Sequence, residues 1–144
     1  MRSAGYTLIE LLVVISIIGI LSVVAFVNIK EFSSSQALKK AAGEVQSFLR
    51  LAQSNASSST LCNGVGGVPW TVTINTNTVV ITCNIDTPYK TLTLQSGITI
   101  SPQFSVIYSA LKGVPDSSVT ITLDNGKGET KTVILTSGGA INVQ

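Results

Sequence analysis

Histidine is absent from this chain of 144 residues, and only 11% of its residues are charged. The first absence removes the commonest general base and the commonest metal ligand. Ser/His and Cys/His nucleophilic pairs are thereby excluded. Two cysteines without histidine or clustered acids make too few ligands for a structural metal site, so no metal or cofactor is expected. Asp86, Asp116, Asp124 and Glu129 are scattered beside turn signals, where turn and surface roles outweigh a paired-carboxylate site. Asp116, Asp124 and Asn125 offer oxygen ligands for calcium, but no ligand loop of recognisable spacing contains them. The Gly-rich segments "GVGG" and "DNGKG" lack the strand-loop-helix pattern of phosphate loops. A net charge of +2 does not by itself argue for nucleic acid.

The scarce charge is unevenly placed. Leu11 to Ile29 is a run of nineteen uncharged residues in which only Ser16, Ser22 and Asn28 are polar. As a helix it would cover roughly 28 Å, about the thickness of a hydrocarbon core. A secretory signal peptide fits less well. The segment before the run carries both Arg2 and Glu10, the run exceeds the usual 7–15 residues, and no small-x-small cleavage site closes it. A retained single-pass membrane helix is the expectation. Arg2 on one side and Lys30, Lys39 and Lys40 on the other leave the positive-inside count undecided. The Thr/Ser-rich β sequence and the two cysteines favour an extracytoplasmic C-terminal part.

Beyond the run, Leu38, Ala42, Val45, Leu49, Ala52 and Ala56 recur at spacings of four and three, which places them on one helical face. Ser33–Ser35 and Gly43 weaken the helix locally, the serines as a hinge or as an N-cap. The expectation is one long, interrupted helix from Tyr6 to Ser57. From Thr60 the period becomes two. "WTVTI" and "TVVITC" flank Asn75-Thr76-Asn77 as a hairpin, and "KTLTL", "GITI", "FSVIYSA", "VTITL", "KTVILT" and "AINV" are further strands. Turn chemistry is read at Val68-Pro69, Thr87-Pro88, Ser101-Pro102, Val114-Pro115-Asp116, Asp124-Asn125-Gly126 and Gly138-Gly139. The predicted class is α+β: a long N-terminal helix, membrane-spanning in its first half, packed against an antiparallel β domain of two sheets. Outside the cytoplasm Cys62 and Cys83 are expected to pair, tying the segment after the helix to the second strand.

One residue stands out, the carboxylate of Glu10 inside the apolar N-terminal stretch. It is either a headgroup-boundary residue or a group that gains a cationic partner on assembly. The stretch "GYTLIELLVVISIIGILSVVAF" closely resembles the N-terminal signature of type IV pilins and type II secretion pseudopilins. The resemblance implies cleavage by prepilin peptidase between Gly5 and Tyr6, with N-methylation of Tyr6. Thr7, Leu8, Ile9 and Glu10 match the assembly motif residue by residue. Glu10 takes the family's acidic position, and its implied partner is the Tyr6 amine, on a neighbouring subunit or on the same chain. The chain departs from the family in having Tyr at position 6, a short leader with one basic residue, and no Pro in the second half of the span. Gly19 or Ser33–Ser35 would then supply any helix break.

"AGEVQSFLRLAQSNASSST" and "VTITLDNGKGETKTVILTSGGAINV" further resemble the helix end and closing strands of H-type minor pseudopilins and related minor pilins. The implied organisation is a leader at 1–5, a transmembrane helix and filament core at 6–29, an amphipathic helix at 30–59 and a β-rich domain at 60–144. The implied function is a non-enzymatic structural subunit of a type IV pilus or type II secretion pseudopilus. Its partners would be other subunits, prepilin peptidase, the inner-membrane assembly platform and, before assembly, membrane lipid. It would lie in the inner membrane and later in a periplasmic or extracellular filament. The alternative is a DNA-binding minor pilin for natural transformation. From residue 60 onward four lysines balance four acids, so a nucleic-acid partner is the weaker expectation.

Overall fold

The computed structural model describes residues 7–83 and 87–144, apart from the side chains of residues 23–31 and 87. The expected leader, the Gly5–Tyr6 junction and Asp86 lie outside the described residues. The elements run α1 (Leu8–Ser57), β1 (Trp70–Ile74), β2 (Thr78–Cys83), β3 (Thr87–Thr93), β4 (Thr99–Ser101), β5 (Phe104–Tyr108), β6 (Val119–Asp124), β7 (Thr130–Leu135) and β8 (Ile141–Val143). The chain divides into two compact units, Met1–Ser34 and Ser35–Gln144.

In the first unit the apolar side chains from Leu8 to Leu21 are exposed. Ser16 and Ser22 do not interrupt this surface with free hydroxyls. Their Oγ atoms donate to the carbonyls of Leu12 and Ile18 at 2.8 and 2.7 Å, satisfying both groups within the helix. No helix among the described residues is long and apolar enough to cross a membrane. The uncharged run read from the sequence continues through residues 23–29, outside the described side chains.

The second unit holds the core. Leu38, Ala42, Val45, Leu49, Ala52 and Ala56 are all buried, joined by Ala41. Small residues at most of these positions let the sheets approach the helix closely, while Leu38, Val45 and Leu49 supply the apolar volume. One sheet has the order β3-β2-β1-β5 and the other β4-β6-β7-β8, and every pairing is antiparallel. Strict alternation directs Trp70, Val72 and Ile74 of β1, and Val79, Ile81 and Cys83 of β2, into one core with Ile121, Leu123, Val133 and Leu135 of the second sheet.

Two expectations need correction. The helix is not interrupted: α1 continues through Ser33–Ser35 and Gly43. Propensity costs of well under 1 kcal/mol for each serine and about 1 kcal/mol for the glycine do not break a helix of this length. Thr87-Pro88 is not a turn but the start of β3. That strand is a sheet edge, where a missing N–H is tolerated, and Pro88 faces Thr82 at a register shift.

Three contacts close the unit around the end of α1. Cys62 and Cys83 form a disulfide with a Cα separation of 5.9 Å. Gly113, at φ +62°, lies so close to the helix that a Cβ would meet the Gln53 carbonyl oxygen at 2.8 Å. Gln46 and Gln53 donate through Nε2 to the carbonyls of Ile141 and Gly139 at 2.9 and 3.0 Å, and these bonds hold the last strand on the helix. Leu49→Asp places an unpaired charge at the centre of this contact. A cooperative thermal melt of the second unit should be lost in that variant, and an unchanged melt would show that the stripe faces solvent.

Tyr108 is fully buried, and burial pushes its phenol pKa well up. A tyrosine whose folded pKa lies above its unfolded value, about 10, loses its stabilising contribution as pH rises beyond that value. Wild type should therefore lose stability between pH 9.5 and 11.5 more steeply than Tyr108→Phe, by up to about 1.4 kcal/mol per pH unit. Chemical denaturation of the two proteins across that range checks the difference, and parallel curves would refute it.

Candidate functional site at the amino-terminal motif

The expected site is built where α1 begins. Thr7 precedes the first helical residue, and Glu10 follows three positions later. The Thr7 backbone N–H donates to Glu10 Oε2 at 2.8 Å, and the Thr7 hydroxyl donates to the same oxygen at 2.7 Å. The Glu10 N–H in turn approaches Thr7 Oγ1 at 3.4 Å. This is a reciprocal capping box, which satisfies helix-terminal donors that have no partner within the helix. The Thr-x-x-Glu spacing ahead of an apolar run was its signal in the sequence. Reading Glu10 as a boundary residue or as a group awaiting a cation missed the role of Thr7. Leu8 and Ile9, between them, are 82% and 71% exposed and contribute apolar surface.

The arrangement gives Glu10 a local resting place. In the single chain its carboxylate is hydrogen-bonded by its own helix end, and it also lies at the positive end of the helix dipole. The Tyr6 amine, its expected partner, lies outside the described residues, as does Gly5.

Among the described residues, the other sequence-marked residues form no second site. Asp116 Oδ1 accepts from the Ile107 N–H at 3.1 Å and from the Ser117 hydroxyl at 3.2 Å. Asp124 accepts from the Gly126 N–H in the turn between β6 and β7. Asn125 Oδ1 accepts from the amides of Lys127 and Glu129 in the same turn. Among the described residues no group of three or more His, Cys, Asp or Glu could hold a metal ion. The basic side chains are dispersed. Lys40 lies 3.7 Å from Glu44, Arg50 Nη2 is 3.5 Å from the Ile141 carbonyl, and Lys90 stands 5.4 Å over the Phe48 ring.

Residues 1–26 match the family model for the prokaryotic N-terminal methylation motif. The match supports a type IV pilin or pseudopilin subunit, a structural and non-enzymatic class. No curated protein and no solved structure matches the chain. The methylation motif covers the capping box, and it implies prepilin peptidase processing, a membrane-anchored precursor and assembly with other pilin subunits.

Thr7→Ala removes the cap at the head of the motif and should cost about 1 kcal/mol locally. Amide exchange in detergent micelles should accelerate about fivefold over residues 8–11 and remain unchanged over 38–56. Unchanged exchange at the helix start would show that the box does not persist in solution.

Proposed function

We propose that the chain is a minor structural subunit of a type IV pilus or type II secretion pseudopilus, built like the H-type minor pseudopilins. The observation that carries this reading is the methylation motif ending in an apolar helix, with its single carboxylate capped by Thr7. Leu11–Ile29 would anchor the precursor in the inner membrane as a single span. Prepilin peptidase would cut between Gly5 and Tyr6, and the new Tyr6 amine would be methylated. The unit from Ser35 onward would lie outside the cytoplasm, consistent with its disulfide.

Assembly then changes the surroundings of Glu10. In a filament, apolar helices exclude water, and the Tyr6 ammonium is the nearest cation that the motif offers. A carboxylate–ammonium pair in such surroundings adds little net stability, but a slipped subunit buries an unpaired charge and is strongly disfavoured. The bonds to Thr7 keep Glu10 satisfied until that pairing, so the carboxylate enters the filament already oriented. Capture of DNA for transformation is the weaker reading, because Lys40, Arg50 and Lys90 already have local partners and no basic cluster is formed by them. A salt-dependent shift of DNA by residues 30–144 would reverse that ranking.

Glu10→Ala should still be inserted and cut, yet incorporate poorly, because a broken buried pair costs about 3–5 kcal/mol. Glu10→Gln should be milder, since its amide oxygen still accepts from Thr7. The measurement is the amount of each variant in sheared filaments relative to membranes, with wild type absent. Wild-type incorporation by both would reduce Glu10 to a boundary residue. Gly5→Val, which crowds the scissile bond, should leave an uncut precursor. Normal mature Tyr6 termini in that variant, seen by mass spectrometry, would contradict the processing step.

A further inference from the structure

The turn between β6 and β7 contains an Asn-Gly pair whose surroundings do more than close a hairpin. Asp124 Oδ1 accepts the Gly126 N–H. The neighbouring Asn125 is only 8% exposed, and its Oδ1 accepts from the Lys127 and Glu129 amides at 2.9 and 3.2 Å. Its Nδ2 donates to Glu129 Oε2 at 2.9 Å. Residue 126 is a glycine, at φ +68°, and so carries no side chain that would crowd the peptide following Asn125.

We propose that Asn125–Gly126 is a self-modification site, at which the folded turn promotes cyclisation of Asn125 to a succinimide and its hydrolysis to aspartate or isoaspartate. Each participant has a group already in contact with it. Asp124 takes the proton from the Gly126 nitrogen as that nitrogen attacks Asn125 Cγ. The oxyanion formed on Oδ1 is met by the two backbone amides that already bind the oxygen. Collapse breaks the Cγ–Nδ2 bond. Nδ2, held by Glu129, takes up one proton from solvent and departs as ammonia, while Asp124 returns the proton it took from Gly126 to solvent, so the proton count balances. Water then opens the five-membered ring on either side. One C–N bond has formed and one has broken before hydrolysis, and nothing is oxidised or reduced. The product places a new carboxylate between Asp124 and Glu129, and on the isoaspartate branch it also lengthens the turn backbone by one methylene.

The chain provides its own comparison in a second pair, Asn63–Gly64. Those residues occupy a tight turn closed by the Cys62–Val65 bridge, with Asn63 at φ +49°.

The test is incubation of the full-length protein in detergent at pH 7.5, followed by peptide mapping that counts succinimide, aspartate and isoaspartate at both pairs. A parallel sample is unfolded in urea with its disulfide intact. The proposal expects Asn125 to convert several-fold faster in the folded protein than in urea. Asp124→Asn, verified as folded by its thermal melt, should slow conversion at Asn125 by more than about tenfold. If that variant does not fold, Glu129→Gln serves instead, with slower conversion expected because the leaving nitrogen loses its carboxylate partner. Faster conversion in urea than in the fold would overturn the proposal, because the hydrogen bonds would then be protecting Asn125. A rate unaffected by either folded variant would overturn it as well.

Discussion

Burial of one face of α1 is the constraint on which the rest of the second unit depends. Leu38, Ala42, Val45, Leu49, Ala52 and Ala56 lie in the same core as the inward faces of both sheets. Each sheet alone has a single apolar face and must cover it. The alternation along β1, β2, β6 and β7 has meaning only because that covering surface exists. At the far end of the stripe the helix is enclosed by backbone, with Gly113 against Gln53 and the Leu111 N–H donating to the Ala56 carbonyl at 2.9 Å. The fit there tolerates little added volume, and alanine and glycine at these contacts are a condition of the packing.

The amino-terminal motif follows a different rule. From Leu8 to Leu21 the described apolar side chains are exposed in the single chain, and the polar groups among them are satisfied internally by Ser16, Ser22 and the capping box. Under the proposed function, that surface would meet lipid or other helices. The two halves of α1 thus carry different recognition properties on one continuous element: one half is committed to its own domain, and the other offers its surface outward.

Much of this was legible in the sequence because periodicity is a local signal. All six members of the helical stripe are buried, and each strand segment read from alternation contains a strand. The misses have equally local causes. Pro88 reads as a turn until its strand is known to be an edge, and edge position is a property of topology. Ser33–Ser35 read as a break because propensity was weighed without the turns on either side that sustain the helix. The capping box was spelled out in Thr7-x-x-Glu10 but was overshadowed by the search for a cation. The latch of Gln46 and Gln53 on the last strand could not be read at all, since it joins residues 95 and 86 positions apart.

That latch has a consequence for the order in which the molecule forms. The strand it secures, β8, also pairs with β7, so the second sheet gains its final edge only when residues 141–143 reach a helix made some ninety positions earlier. Contacts of such separation carry a loop-closure cost before they give any return. Until then the carbonyls of Gly139 and Ile141 lack their helix partners, and β7 presents an unpaired edge to its surroundings. A chain emerging amino terminus first would therefore hold its helix ready while its sheets stayed open. Closure would be a late, single event, and during synthesis or export this open edge is where neighbouring chains could join wrongly.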